Sequence, residues 1–134
     1  MPPTLYISLD VEASGPVPGM FNLLAIGACS LVDDGSEARV LDGAEHEFKM
    51  LIKPIPGAEN DPEALKFAGG LVPEELETSG EEPRTALLAL NEWLERERMA
   101  ANASRPHFLA HAASFDWMYL RWYYQKFGVN CPFG

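Results

Sequence analysis

Three apolar, β-forming stretches stand within the first 52 residues, each closed by residues that interrupt regular structure, and this spacing restricts the chain to folds that begin as an antiparallel meander. Leu5-Tyr6-Ile7-Ser8-Leu9-Asp10-Val11-Glu12 runs into Ala13-Ser14-Gly15-Pro16-Val17-Pro18-Gly19, whose glycines and prolines extend neither strand nor helix. Residues 23–32 form the second stretch and stop at Asp33-Asp34-Gly35, which has tight-turn chemistry. Residues 45–52 set Phe48, Met50 and Ile52 against Glu47 and Lys49, with Leu51 the one lapse, before Pro54 and Pro56 end the alternation.

The segment 57–83 carries Pro62, Gly69, Gly70, Pro73, Gly80 and Pro83, which limits helices to a turn or two around 63–68 and 74–77. Leu87, Leu90 and Leu94 then repeat at helical spacing with Trp93 beside them, while Glu92, Glu95, Arg96 and Arg98 fall on other faces, so 84–101 reads as an amphipathic helix. A short apolar run at 106–110 is a candidate fourth strand, and Ser114 stands where a helix N-cap is expected. Phe115, Met118, Tyr119, Trp122 and Tyr123 recur at i, i+3, i+4, i+7 and i+8, a helical stripe that reads as core and ends near Gly128. The order β-β-β, short helices, α, β, α implies an α/β fold: an antiparallel three-strand meander plus a strand returned by a helix, in one mixed sheet with flanking helices. The last helix has no strand after it, so residues 1–134 read as one domain incomplete at the C-terminus.

Composition narrows the class. A chain of 134 residues that is 47% hydrophobic buries enough surface for a core, which excludes a disordered tail. Ten Lys plus Arg against 20 Asp plus Glu give a formal charge of −10, so a protein that coats DNA through its overall field is excluded. No apolar run reaches the ~18–20 residues that span a bilayer, and Met1-Pro2-Pro3-Thr4 lacks the basic start of a secretion signal, so a cytoplasmic protein with no membrane partner is expected. Cys29 and Cys131 have no metal or disulfide spacing and are expected in the core and in a loop, respectively.

Asp10 and Glu12 stand two apart on the first strand, so both carboxylates take the same face at its carboxyl end. Two anions on an apolar strand cost several kcal/mol, of order a few, unless donors or cations compensate, and an all-oxygen pair suits Mg²⁺ or Mn²⁺. Simple exposure where the strand emerges into solvent explains the pair equally well. Asp116 lies in the first turn of the last helix, where the helix dipole alone accounts for most acidic residues. Pairing of the 106–110 strand with the first strand would bring Asp116 beside Asp10 and Glu12. His107 and His111 read as hydrogen-bonded structural residues, and Arg121 and Lys126 as ordinary exposed cations.

Asp10-Val11-Glu12-Ala13-Ser14-Gly15-Pro16 resembles the first motif of the DEDD 3′–5′ exonucleases, and Ala110-His111-Ala112-Ala113-Ser114-Phe115-Asp116-Trp117 resembles the second. Asn130-Cys131-Pro132-Phe133-Gly134 is similar to the loop that follows in bacterial members. The resemblance implies a ribonuclease-H-like fold and metal-dependent release of nucleoside monophosphates from the 3′ end of single-stranded DNA or RNA, with the subgroup that uses His as base the nearest in pattern. It implies that Asp10, Glu12 and Asp116 are catalytic carboxylates binding two Mg²⁺ or Mn²⁺ ions, and that Ala13, Ser14, Gly15 and Phe115 contact the terminal nucleotide. The fourth carboxylate and the general base of the third motif would lie past Gly134, which implies a C-terminally truncated chain of weak or no activity. Ala112 stands where many members have Asn. A non-catalytic metal or nucleic-acid binding module is the alternative, and a homo-oligomer fits either reading. A glycosidase is disfavoured because Asp10 and Glu12 adjoin on one strand instead of flanking a sugar across ~5 Å or more.

Overall fold

The computed structural model of the protein describes residues 2–133; Met1 of the leading peptide and Gly134 of the loop similar to bacterial members lie outside the described residues. Strand β1 (Thr4–Ala13) buries Leu5, Ile7, Leu9 and Val11 and turns Tyr6, Ser8, Asp10 and Glu12 to its other face. Strand β2 (Leu23–Asp33) runs antiparallel to it, from Thr4↔Asp33 to Ala13↔Leu23, and the register shifts between Glu12 and Ala13. Two features not expected from the alternation come next: a three-residue strand β3 (Ala38–Val40) and a single 3-10 turn, Ala44–His46. Strand β4 (Glu47–Leu51) follows. β3 pairs with residues 31–33 of β2 and β4 with residues 25–29, so the third row of the meander is split into two pieces.

Strand β5 (Pro106–Leu109) lies parallel to β1, from Leu5↔Pro106 to Ser8↔Leu109, and completes a sheet of order β3-β2-β1-β5 with β4 also on β2. This is the mixed α/β sheet, antiparallel meander plus parallel strand with flanking helices, that the element order implies. Helices α1 (Pro62–Leu65) and α2 (Pro73–Ser79) each begin at a proline whose missing N–H has no partner to lose there. Helices α3 (Pro83–Ala101) and α4 (Ala113–Phe127) cover one face of the sheet, joining Leu87, Leu90, Leu94, Tyr119 and Tyr123 to the core side of β1. Among the described residues no helix is long and apolar enough to cross a membrane.

The other face of the sheet stays half-open along Ser8, Asp10, Gly27, Cys29 and Lys49. Cys29 is therefore not a core residue: it pairs with Ser8 on this open face, because β2 is covered on one side only. In α4 the buried stripe is Tyr119, Leu120, Tyr123 and Tyr124, while Phe115 and Met118 sit on the exposed rim. The helical period is the expected one, and the buried sector is displaced around the helix axis by about one residue, to Asp116, Leu120 and Tyr124 beside Tyr119 and Tyr123.

The cap of α4 also differs from expectation. Ser114 is inside the first turn, and the cap position is Ala112, held at φ 57° and ψ 49° with no side-chain cap bond. Left-handed backbone costs an L-residue with a Cβ roughly 1–2 kcal/mol, and Asn tolerates it better than Ala. Ala112→Asn is accordingly expected to raise stability by about 0.5–1 kcal/mol, read as a higher denaturation midpoint in urea at unchanged slope. A lower midpoint would mean that Ala112 is not under backbone strain.

Candidate active site

The parallel pairing of β5 with β1 stops at Ser8↔Leu109, so the chain leaves the sheet beside the carboxyl half of β1 and enters α4 there. That geometry delivers Asp116 to the strand carrying Asp10 and Glu12. The Val11 backbone N–H donates to Asp116 Oδ1 at 2.9 Å, a buried bond between residues 105 positions apart. Asp116 is only 3% exposed, Glu12 is half-buried and Asp10 is exposed.

The three carboxylates feel one another. Burial raises the Glu12 carboxyl above its ordinary value, and the charges of Asp10 and then Asp116 push it further. Burial likewise raises Asp116; the bond from Val11 opposes this, and the charge of Asp10 adds to it. They line a cleft of about 660 Å³ with Ala13, Gly15, Asp61, Glu63, Phe67, His111 and Phe115, a size in the ~300–1,000 Å³ range of small-ligand sites. Five acids and no Lys or Arg are in that lining. As the side chains stand, no group of three or more His, Cys, Asp or Glu among the described residues is drawn into an ion-holding cluster. The donor set is nonetheless all-oxygen, mutually repelling and without a cationic partner in the cleft, which is the chemistry that a hard divalent cation relieves.

The loop after β1 is braced from below. Tyr119 Oη donates to the Gly15 carbonyl at 2.6 Å, and Leu23 N–H donates to Tyr123 Oη at 2.8 Å. Burial raises both phenols, Tyr123 to about 12, so each keeps its proton at neutral pH. A Cβ on Gly15 would fall inside the Phe21 ring, so only glycine allows this close approach.

Ala13, Gly15 and Phe115 line the cleft, and Ser14 does not. Ser14 is fully buried: its N–H donates to Asn22 O, its carbonyl accepts from Asp61 N–H, and its hydroxyl donates to Glu59 O and accepts from Asn22 N–H. With its N–H and its hydroxyl proton both donated inside the protein, it ties the loop to the segment before α1. His111 is exposed on the rim, whereas His107 faces Tyr6 across β1 and β5, with ring centroids 5.8 Å apart. The motifs did not single out Asp61, Glu63 and Phe67. Asp61 was readable as a cap from Asp61-Pro62-Glu63, and it does accept from Glu63 N–H, but nothing local says that this turn folds over the end of β1. A second groove continues from Asp10 and Glu12 across Gly27 to Lys49, and of these Asp10, Gly27 and Lys49 occupy one row of the sheet by their pairing.

No family model matches the chain. It is 30% identical over 130 residues to the 3′-5′ DNA exonuclease Cap18 of Escherichia coli, an alignment that covers 97% of this chain and 62% of that protein. Its fold matches E. coli Exonuclease I in complex with a 5cy-dA13 oligonucleotide at a TM-score of 0.74 and 17% identity, over 95% of this chain and 25% of that one. The zinc-ion-bound form of the E. coli ExoI–ssDNA complex matches at a TM-score of 0.72 and 16% identity, over 95% and 24%. The chain thus spans less than two-thirds of the length of these proteins.

Proposed function

We propose, from the premise that the chain is a ribonuclease-H-like relative of the 3′–5′ exonucleases, that residues 1–134 are a DEDD-type exonuclease domain acting on the 3′ end of single-stranded nucleic acid. The terminal phosphodiester is hydrolysed and a nucleoside monophosphate leaves. The observation that carries this reading is the Val11–Asp116 bond, which ties the carboxylate of the second motif to the strand that bears both carboxylates of the first.

In this reading Asp10, Glu12 and Asp116 hold Mg²⁺ or Mn²⁺. Ions bound there would activate a water and stabilise the departing 3′ oxygen. Asp116 is fixed by Val11 N–H and lines the cleft. Ala13 and Gly15 place the loop backbone against the terminal nucleotide, and the Tyr119 hydroxyl keeps the Gly15 carbonyl turned inward. Phe115 offers an aromatic edge beside them. An acid-lined cleft repels a phosphate by itself, so strand binding in it depends on divalent cations.

A 5′-labelled single strand with Mg²⁺ or Mn²⁺ is expected to shorten from its 3′ end, and Asp10→Asn is expected to stop this. Metal-dependent strand binding without shortening would favour the non-catalytic binding module, and absence of strand-end binding would overturn the proposal.

A further inference from the structure

The groove that leaves the cleft at Asp10 and Glu12 has a volume of about 570 Å³ and runs across the uncovered face of the sheet. Its direction is set by register. Asp10 pairs with Gly27 and Gly27 with Lys49, so the three stand side by side on β1, β2 and β4. With neighbouring strands about 4.8 Å apart, the far end of this row lies roughly 10 Å from Asp10. The middle of the row is bare backbone. A Cβ on Gly27 would meet no heavy atom within 4 Å, so nothing in the packing around it requires glycine, and a glycine inside a strand often marks a place where a ligand or another backbone comes close. Lys49, at the far end, is exposed and takes part in none of the ion pairs among the described residues, although Glu47 stands two positions away on the same strand. Among the described residues it is the single Lys or Arg that lines the groove, and the neighbouring hollow over Ser8 and Cys29 also closes on it.

We infer that Lys49 is a phosphate contact for the bound strand upstream of its 3′ end, and that the groove over Gly27 is the path by which the strand's backbone reaches the carboxylates. This rests on the reading of the cleft as a strand-end site. A strand whose terminal phosphodiester lies at Asp10 carries further phosphates away from it, and the cleft itself offers them no Lys or Arg. The groove offers an ammonium with no competing partner, at the end of a row that begins on Asp10. A lysine is a compact charge on a flexible stem, so it follows a phosphate without reading the base attached to it. The missing side chain at Gly27 lets the strand's backbone lie close to the sheet between the two ends of the row.

The test is equilibrium binding of single-stranded oligonucleotides protected by a terminal phosphorothioate, at fixed Mg²⁺ over a range of KCl concentrations. Lys49→Ala is expected to weaken binding roughly tenfold, alike for dA and dT strands, and to reduce the steepness of log K against log salt by about 0.7, the share of one phosphate contact on a single strand. Lys49→Arg should stay near wild type in both. With each upstream linkage replaced in turn by an uncharged methylphosphonate, one position should bring wild type down to the level of Lys49→Ala and cost Lys49→Ala nothing further. Gly27→Val should weaken binding at a melting temperature no lower than wild type, because the added side chain enters open space and a β-branched residue suits a strand. Lys126→Ala removes the same charge from the last turn of α4 and should leave affinity and salt dependence unchanged. Affinity and salt dependence unaltered in Lys49→Ala, or reduced equally in Lys126→Ala, would overturn this inference alone. Failure of wild type to bind any single strand would overturn it together with the strand-end reading.

Discussion

Metal-free Glu12→Gln protein is expected to melt above wild type at pH 7, and to lose the further rise that Mg²⁺ or Mn²⁺ gives the wild type. The two effects have opposite signs and one cause. In the native state the Glu12 carboxyl is raised by burial and by the charges of Asp10 and Asp116. A carboxyl raised on folding favours the native state where it is protonated, and that advantage is lost as pH rises from the ordinary carboxylate range through the folded value. Above that folded value the penalty stands in full, and an uncharged amide of the same shape removes it. A divalent cation relieves the same repulsion in the wild type. At about a hundredfold excess over its dissociation constant, an ion that binds only the folded state adds about 2.7 kcal/mol, or roughly 10 °C for a chain of this size. Differential scanning calorimetry of both proteins, with EDTA and with each ion, reads both effects. A Glu12→Gln protein that melts lower without metal, or that gains as much from the ion as wild type, would contradict this electrostatic account of the cleft.

Glu97→Ala is expected to lower stability by roughly 3 kcal/mol, about 10 °C in melting temperature. Glu97 is 4% exposed on α3, the last buried residue along the helix's packed face. Ser30 Oγ donates to its Oε1 at 2.6 Å from β2, and His46 Nδ1 stands 2.7 Å from the same oxygen, at the 3-10 turn before β4. One carboxylate thus joins helix, central strand and connection. Truncation leaves a buried hydroxyl without its acceptor and a gap beside Leu94, which combines the cost of a lost charged hydrogen bond with that of a cavity. Glu97→Gln, which keeps an acceptor oxygen, should lose less than half as much. Urea melts of the three proteins give the order, and a Glu97→Ala midpoint within experimental error of wild type would show that the network carries no stability.

Features repeated over several residues were legible in the sequence. The alternation in β1, the leucine spacing of α3 and the Gly-Pro stop after Glu12 each involve enough positions to fix type and extent, and their order was enough to return β5 parallel to β1. Asp116 is a candidate through that topology and not through its own neighbours, and the Val11–Asp116 bond ties the first turn of α4 to β1. Short or solitary features were not legible. β3 has three residues, all exposed, so it shows no period. Ser114 has better capping chemistry than Ala112, yet it lies inside the first turn and Ala112 takes the cap position. Glu97 falls within a run of charged residues, and only the position of Ser30 and His46 across the core explains its burial. Ser14 sits in the motif where backbone contacts to a ligand were expected, but Asn22, Glu59 and Asp61, all distant in sequence or unremarkable locally, consume its polar groups. Phe67 carries no local mark at all; its exposure follows from Ala68 taking the buried place next to Leu24.

Direct Mn²⁺ binding, followed as loss of the electron paramagnetic resonance signal of the free ion, tests the shared role of the three carboxylates most closely. Wild type is expected to remove Mn²⁺ saturably, and Asp10→Asn, Glu12→Gln and Asp116→Asn each to weaken that removal by at least about tenfold. An Asp116→Asn protein that binds Mn²⁺ as tightly as wild type would place Asp116 outside any cation site and leave its bond to Val11 as a purely structural contact.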